Sequence, residues 1–318
     1  MHPLKGTTRP AIRVGQSRRG CYDARPMALI ERLARPLVVA MLVGLSIAWI
    51  IWTVNDFTLS DSQAYRVAAQ RLLTGETLYV LPSNQDEAFR YAPWFAAVWI
   101  PIAALPRAIG DGLWAGLLTL ASVLAVLPLA RRATVSARLL AVLGGSMLLW
   151  TAARGNVHPL VVLALIHGLD RRSGPLWIAL AASLKAVPIL FALVYLARRE
   201  WWRALGTLAI FAVLVAPMPL LGWRIDTVQA GASLSLYDRV SPMTWAIVST
   251  VAVILVLGVA WRSPRHAAVV AAMAAIIALP RLLLYDLTYL LVGVSASAEA
   301  GVGVSPRPSP IGEEPSQG

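Results

Sequence analysis

Asp61 and Tyr65 stand four residues apart in Asp61-Ser-Gln-Ala-Tyr65-Arg-Val-Ala-Ala-Gln-Arg-Leu-Leu73, so a helix places both on one face. A carboxylate so placed can take a proton as a general base. Its simpler use is to oppose the helix dipole in the first turn. Asp56, at the start of the same polar stretch, is a rival carboxylate. Lys185 is a lone ammonium between Ala-Leu and Val-Pro. A buried ammonium needs an anion, and a lipid phosphate supplies one; the alternative is a lysine whose stem lies in apolar surroundings while its head reaches the interface. Arg154-Gly-Asn156-Val-His158-Pro159 puts polar groups between two apolar runs, where they must pair or line a cavity. Arg281-Leu-Leu-Leu-Tyr285-Asp286 adds a cation and a carboxylate able to pair with each other or with Lys185. Four scattered histidines and the single Cys21 lack metal-ligand spacing, so no metal, cofactor or disulfide is expected. Glycine-rich phosphate loops, serine elbows and zinc motifs are absent from the sequence.

The elements that must hold these residues are apolar. The chain of 318 residues is 58% hydrophobic and 14% charged, outside the range of soluble domains and typical of an integral membrane protein. Its 12 Trp suit the bilayer interface. The net charge of +12 does not point to nucleic acid, because the basic residues fall in short clusters between apolar runs, as in cytoplasmic loops. Residues 1–35 hold eight Lys and Arg against Asp23 and Glu31, a net +6. They read as a basic cytoplasmic segment, an irregular arm or sequence upstream of a true start at Met27. The uncharged run 36–54 is long enough to cross a bilayer, and a polar insert of about 36 residues follows it.

Further apolar runs fall at about 92–106, 111–130, 137–153, 157–169, 174–197, 204–221, 243–261, 267–279 and 282–294. Several are short for a full span, which predicts tilted, broken or paired half-helices. With the N-terminus and the arginine clusters at 131–132, 171–172, 198–203 and 262–265 inside, the loop 55–91 faces out. Parity then makes 92–106 re-entrant or interfacial. It also makes 174–197 go out and return, turning near Lys185-Ala-Val-Pro188. Asp61, Arg154, Asn156, His158, Lys185, Asp226, Asp238 and Arg281 gather outside. Residues 61–73 are predicted to form an amphipathic helix on the membrane surface, stopped at Gly75. Residues 294–318 are expected to be a disordered Ser/Pro/Gly tail.

In order and spacing, Asp61-x3-Tyr65, Gly75-Glu-Thr-Leu-Tyr79, Phe89-Arg-Tyr91-Ala-Pro93 and Pro101 resemble glycosyltransferase family 87. Gly155-Asn156-Val-His158, Lys185-x2-Pro188 and Pro280-x4-Tyr285-Asp286 extend the resemblance over about residues 36–293. Asn156 and His158 stand where the family pattern has Gln and Asn. The resemblance implies an all-α, polytopic membrane domain of the GT-C kind. It also implies transfer of a hexose, mannose above others, from a polyprenyl-phosphate donor to a glycolipid or polysaccharide acceptor, with inversion. Asp61 would be the base, Lys185 and Arg154 would hold the donor phosphate, and Tyr65, Tyr91, Asn156, His158 and Asp286 would contact substrate. The implied setting is the outer face of a bacterial inner membrane, among membrane lipids. The resemblance also implies spans beyond residue 293, so a truncated, non-catalytic product is one alternative. A transporter or flippase using Lys185, Arg281 and Asp286 as its path is another.

Overall fold

A computed structural model describes residues 58–80, 88–132, 134–223, 240–280 and 282–302, with Ala40, Gly44, Ile47, Ala48, Ile51 and Tyr237. The chain divides into Met1–Met41 and Leu42–Gly318. Ala40 is the one described residue of the first unit, and every described helix from Ser60 onward belongs to the second. Cys21, Met27, Asp56, Asp226, Asp238, Arg281 and most of the run 36–54 lie outside the described residues.

The described residues are helical, with no strand among them. Four helices have the length and apolarity to cross a membrane: α3 (Arg107–Ala130), α4 (Val135–Ala153), α8 (Trp201–Val215, continued by a short turn to Leu221) and α9 (Pro242–Arg262). Shorter helices fill the spaces between them: α1 (Ser60–Thr74), α2 (Pro93–Ala103), α5 (His158–Gly168), α6 (Gly174–Leu184), α7 (Ala192–Ala197), α10 (Ala267–Ile277) and α11 (Tyr289–Val302). Proline in the first turn starts α2, α5, α6 and α9, where its missing N–H costs nothing. At 11 residues, α2, α5 and α6 are about 16 Å long, half of a hydrocarbon core. The expected half-helices are therefore present.

The segment 174–197 breaks where its sequence predicts. Lys185 is extended (φ −142°, ψ 120°), and a 3-10 turn over Val187–Phe191 leads into α7. Tyr195, near the end of α7, donates to the Leu169 carbonyl at 2.8 Å beside Gly174 at the start of α6. The two ends of the hairpin thus meet at one place, with Lys185 at its turn.

The polar insert forms α1, which starts at Ser60 and stops on Gly75 in the left-handed conformation (φ 71°). Its apolar side is spent on protein. Ser62, Ala64, Tyr65, Ala68 and Ala69 are buried, and the small side chains let α1 lie close against α2. Tyr65 is fully buried among Phe95, Trp99 and Trp114, with ring centroids 5.0–5.9 Å away. Arg66 reaches across the corner between α2 and α3. It donates to the carbonyls of Ala103 (3.0 Å) and Leu105 (3.4 Å) and pairs with Asp111 at 3.5 Å.

The start of α1 is strapped to the turn between α4 and α5. Leu59 N–H donates to Ala153 O (3.0 Å) and Asp61 N–H to Arg154 O (2.9 Å). Trp114 Nε1 donates to Gly155 O at 2.8 Å. Gly155 has φ +76°, and a Cβ there would stand 3.1 Å from the Ser62 nitrogen. Residues 294–302, expected in the tail, are helical as the end of α11. The alanines of this stretch favour helix, and residues 303–318 lie outside the described residues.

Two substitutions test how α1 is held, one at the strap and one at the corner between α2 and α3. Gly155→Ala should lower thermal stability by about 1–3 kcal/mol. The loss should exceed that of Gly75→Ala, which shares a positive φ but has nothing within 4 Å of its Cβ. Equal losses would mean that the contact with Ser62 gives way freely. Arg66→Met should cost about 1–3 kcal/mol by stranding the Ala103 and Leu105 carbonyls, whereas the exposed Thr74→Ala should change Tm little. Thermal unfolding of the purified protein in detergent measures all four.

Candidate active site at the head of the half-helices

Asp61 lies in the first turn of α1, where the strap holds Leu59 and Asp61 itself. Its Oδ2 accepts from Asn156 Nδ2 at 2.5 Å. Asn156 Oδ1 accepts from the His158 N–H at 2.9 Å, so the amide is held from both ends and turns its NH2 toward the carboxylate. Of the two sequence readings of Asp61, a helix-dipole contact and a general base, its place in the first turn of α1 fits the first.

His158 is fully buried at the start of α5, and its Nε2 lies 2.8 Å from Thr288 Oγ1. Thr288 donates its own proton to Tyr285 O at 2.7 Å, so Nε2 must be the donor to Thr288. The ring also packs against Tyr285 and Tyr289, at 4.8 and 5.1 Å between centroids. His158 is thereby a packed histidine that joins the 153–158 turn to the start of α11.

Lys185, at the hairpin turn, has a side chain 17% exposed. Its Nζ lies 3.7 Å from Asp286 Oδ1, 3.4 Å from Tyr285 Oη and 4.4 Å from the Tyr285 ring centre. Asp286 is turned inward, 3% exposed, and its Oδ2 accepts from the Leu283 N–H at 2.9 Å. Of the pairings open from the sequence, that of Asp286 with Lys185 is present, and Arg281 lies outside the described residues. The Asp61 carboxylate is close enough to act electrostatically on both Lys185 and Tyr285.

Tyr91 closes the group on the insert side. Tyr65 Oη donates to Tyr91 Oη at 3.1 Å, which leaves the Tyr91 proton for a further acceptor. Burial first, then the nearby Asp61 charge, pushes the Tyr91 phenol well above its ordinary pKa. Burial raises Tyr65 in the same way, followed by Tyr91 and Asp61. Both phenols are therefore donors, not bases, at neutral pH. Tyr79 Oη donates to Tyr91 O at 2.7 Å. Ala92 N–H donates to Ser183 O (3.1 Å) and Trp94 Nε1 to Ser183 Oγ (3.0 Å), which fixes this segment to the end of α6 just ahead of Lys185.

Arg154 is half-buried, with its guanidinium 5.2 Å from the Trp150 ring centre, and Trp150 lies 5.9 Å from Tyr285. The eight residues to which the family resemblance gives a role thus fall in one neighbourhood. Asp61, Tyr91, Arg154, Asn156 and Lys185 are partly open, whereas Tyr65, His158 and Asp286 are buried behind them. Tyr285, Thr288 and Ser183 were not assigned from the sequence. Tyr285 stands beside Asp286 in the Pro280-x4-Tyr285-Asp286 pattern, but Thr288 and Ser183 carry no local signal. No group of three His, Cys, Asp or Glu able to hold a metal occurs among the described residues.

Comparison with curated proteins and with solved structures gave no match. Residues 89–230 match the family model of glycosyltransferase family 87. The matched stretch contains Tyr91, Arg154, Asn156, His158 and Lys185, while Asp61 and Asp286 stand on either side of it. The resemblance to glycosyltransferase family 87 is borne out, and it indicates a membrane glycosyltransferase.

Proposed function

We propose that the protein moves a hexose, mannose in the first instance, from a polyprenyl-phosphate donor to a glycolipid or polysaccharide acceptor, with inversion at the anomeric carbon. One observation carries the reading: a carboxylate held by a fixed amide and an ammonium on a helix break share one half-open cluster, close enough to act on each other. Asp61 takes the proton of the acceptor hydroxyl as its oxygen attacks the anomeric carbon. The bond to the phosphate oxygen breaks on the opposite face, and the electron pair leaves with the phosphate. Lys185 neutralises the charge that grows there, helped by Arg154. Lys185 has long contacts to Tyr285 and Asp286, so a phosphate oxygen can form a shorter one. Tyr91 has a proton to give a sugar hydroxyl, and Asn156 sets the direction of Asp61. Asp286, Tyr65 and His158 act from behind by holding Lys185, Tyr91 and the 153–158 turn. The outer face of a bacterial inner membrane suits a lipid-linked donor.

The Lys185–Asp286 pair at the turn of an apolar hairpin also fits a transporter, whose ion or substrate path runs through intramembrane charges. The two readings separate in one assay, using purified protein in lipid, radiolabelled polyprenyl-phosphate mannose and a membrane-lipid extract. The transferase makes a labelled glycolipid, and Asp61→Asn lowers its rate of formation by about 10²–10⁴-fold. An unchanged rate in Asp61→Asn removes the base assignment. Label accumulating inside vesicles without new glycolipid favours transport. Lys185→Gln should lower kcat/KM for the donor by about 10² or more. Because Lys185 also neutralises Asp286, that rate is normalised to folded protein.

A further inference from the structure

At the end of the 174–197 hairpin opposite Lys185, the chain puts an arginine where glycine is the usual residue. α7 ends at Ala197 with Arg198 as its cap, and Arg199 follows with φ 61°. The Arg199 N–H donates to Leu196 O (3.0 Å) and the Glu200 N–H to Tyr195 O (2.8 Å), the paired bonds of a helix stop whose left-handed residue is normally Gly. An L side chain in this conformation costs free energy that glycine avoids. A use for the side chain offsets that cost. The Arg199 guanidinium lies 5.6 Å from the ring centre of Trp261, near the end of α9. Trp261 in turn lies 5.9 Å from Trp201 at the start of α8. This cation and its two indoles join the basic ends of α8 and α9.

Arg199, Trp201, Trp261 and Arg262 are exposed, as are Arg171 and Arg172, and Trp202 is 85% exposed. The carboxylates of this region among the described residues, Asp170 and Glu200, are engaged by Arg198 and Arg203. The surface left over is cationic and aromatic. Exposed indoles mark the depth of lipid headgroups, and basic sites between helices on the arginine-rich side take anionic headgroups. A guanidinium matches two phosphate oxygens at once.

We propose that Arg199, laid across Trp261 beside Trp201, is the headgroup site of an anionic phospholipid seated between the basic ends of α8 and α9. Its phosphodiester meets the guanidinium, and its acyl chains lie along the exposed apolar faces of the two helices, which include Leu205 and Leu208 of α8 and Ile254 and Leu255 of α9. The site stands apart from the Asp61 cluster and is independent of the transfer reading.

Thermal unfolding of the full chain in detergent tests it, with added phosphatidylglycerol, phosphatidylcholine of the same acyl chains, or inorganic phosphate. Phosphatidylglycerol should raise Tm by about 2 °C or more, and the other two should not. Arg199→Gly suits the left-handed position, so it should keep or slightly raise the lipid-free Tm while losing the phosphatidylglycerol shift. Arg199→Asn, which also tolerates that conformation, should behave alike. Three results overturn the site: no rise with phosphatidylglycerol, an equal rise with phosphatidylcholine or phosphate, or a full rise in both variants.

Discussion

The structure of the candidate site depends on one strap, the two backbone bonds that tie Leu59 and Asp61 to the carbonyls of Ala153 and Arg154. They let a helix from the polar insert begin against the turn between two apolar helices. Gly155 is the local condition for the approach, because its positive φ and missing Cβ leave room for Ser62. Trp114 holds the same glycine's carbonyl from the other side. With the strap in place, Asp61 has little freedom. Its neighbours Asn156 and His158 come from the strapped turn itself, so the carboxylate and its holder are placed by one local feature.

The charges around this turn set each other's cost. A lone ammonium or carboxylate in an apolar bundle would be strongly penalised, and a pair recovers much of that penalty. Lys185 and Asp286 form such a pair at 3.7 Å, with Tyr285 adding a hydroxyl and a ring face. Asp61 and Arg154 add one charge of each sign near them. The four are balanced, and the wide Lys185 contacts leave its ammonium capacity for another anion. A tight bidentate pair would have satisfied Lys185 more fully and left less for a substrate.

Much of this was legible in the sequence. Apolar runs marked most of the helices to within a few residues, although α11 continues to Val302, well past the end of its run. Lys185-Ala-Val-Pro188 signalled its break because a charged residue and a proline both resist continuing an apolar helix. Gly75 signalled a stop that α1 makes. What local pattern could not show was the destination of a face. The apolar side of α1 reads as surface-seeking, yet Tyr65 and the alanines bury it against α2, because periodicity reveals that a face is apolar but not what covers it. Thr288 and Ser183 escaped for a related reason: a single hydroxyl becomes informative only when tertiary contact brings it to His158 or Trp94.

The cluster draws its members from elements of two kinds, and this bears on what it can serve. Asp61 and Tyr91 come from the polar insert. Asn156 and His158 sit at the head of the half-length apolar helix α5, Lys185 caps the end of another, α6, and Asp286 precedes α11. A site built from only the first kind would have little reach into the lipid phase. One built from only the second would lack the strapped carboxylate of the polar insert. On the proposed reading, the split matches a reaction whose donor is lipid-bound and whose acceptor hydroxyl arrives from water. The family match covers the stretch from Phe89 to residue 230, which carries Lys185 and Asn156 but not Asp61. On that reading the strap is the means by which Asp61 is brought to the rest of the site, and its geometry limits how far Asp61 can move from the sugar it would serve.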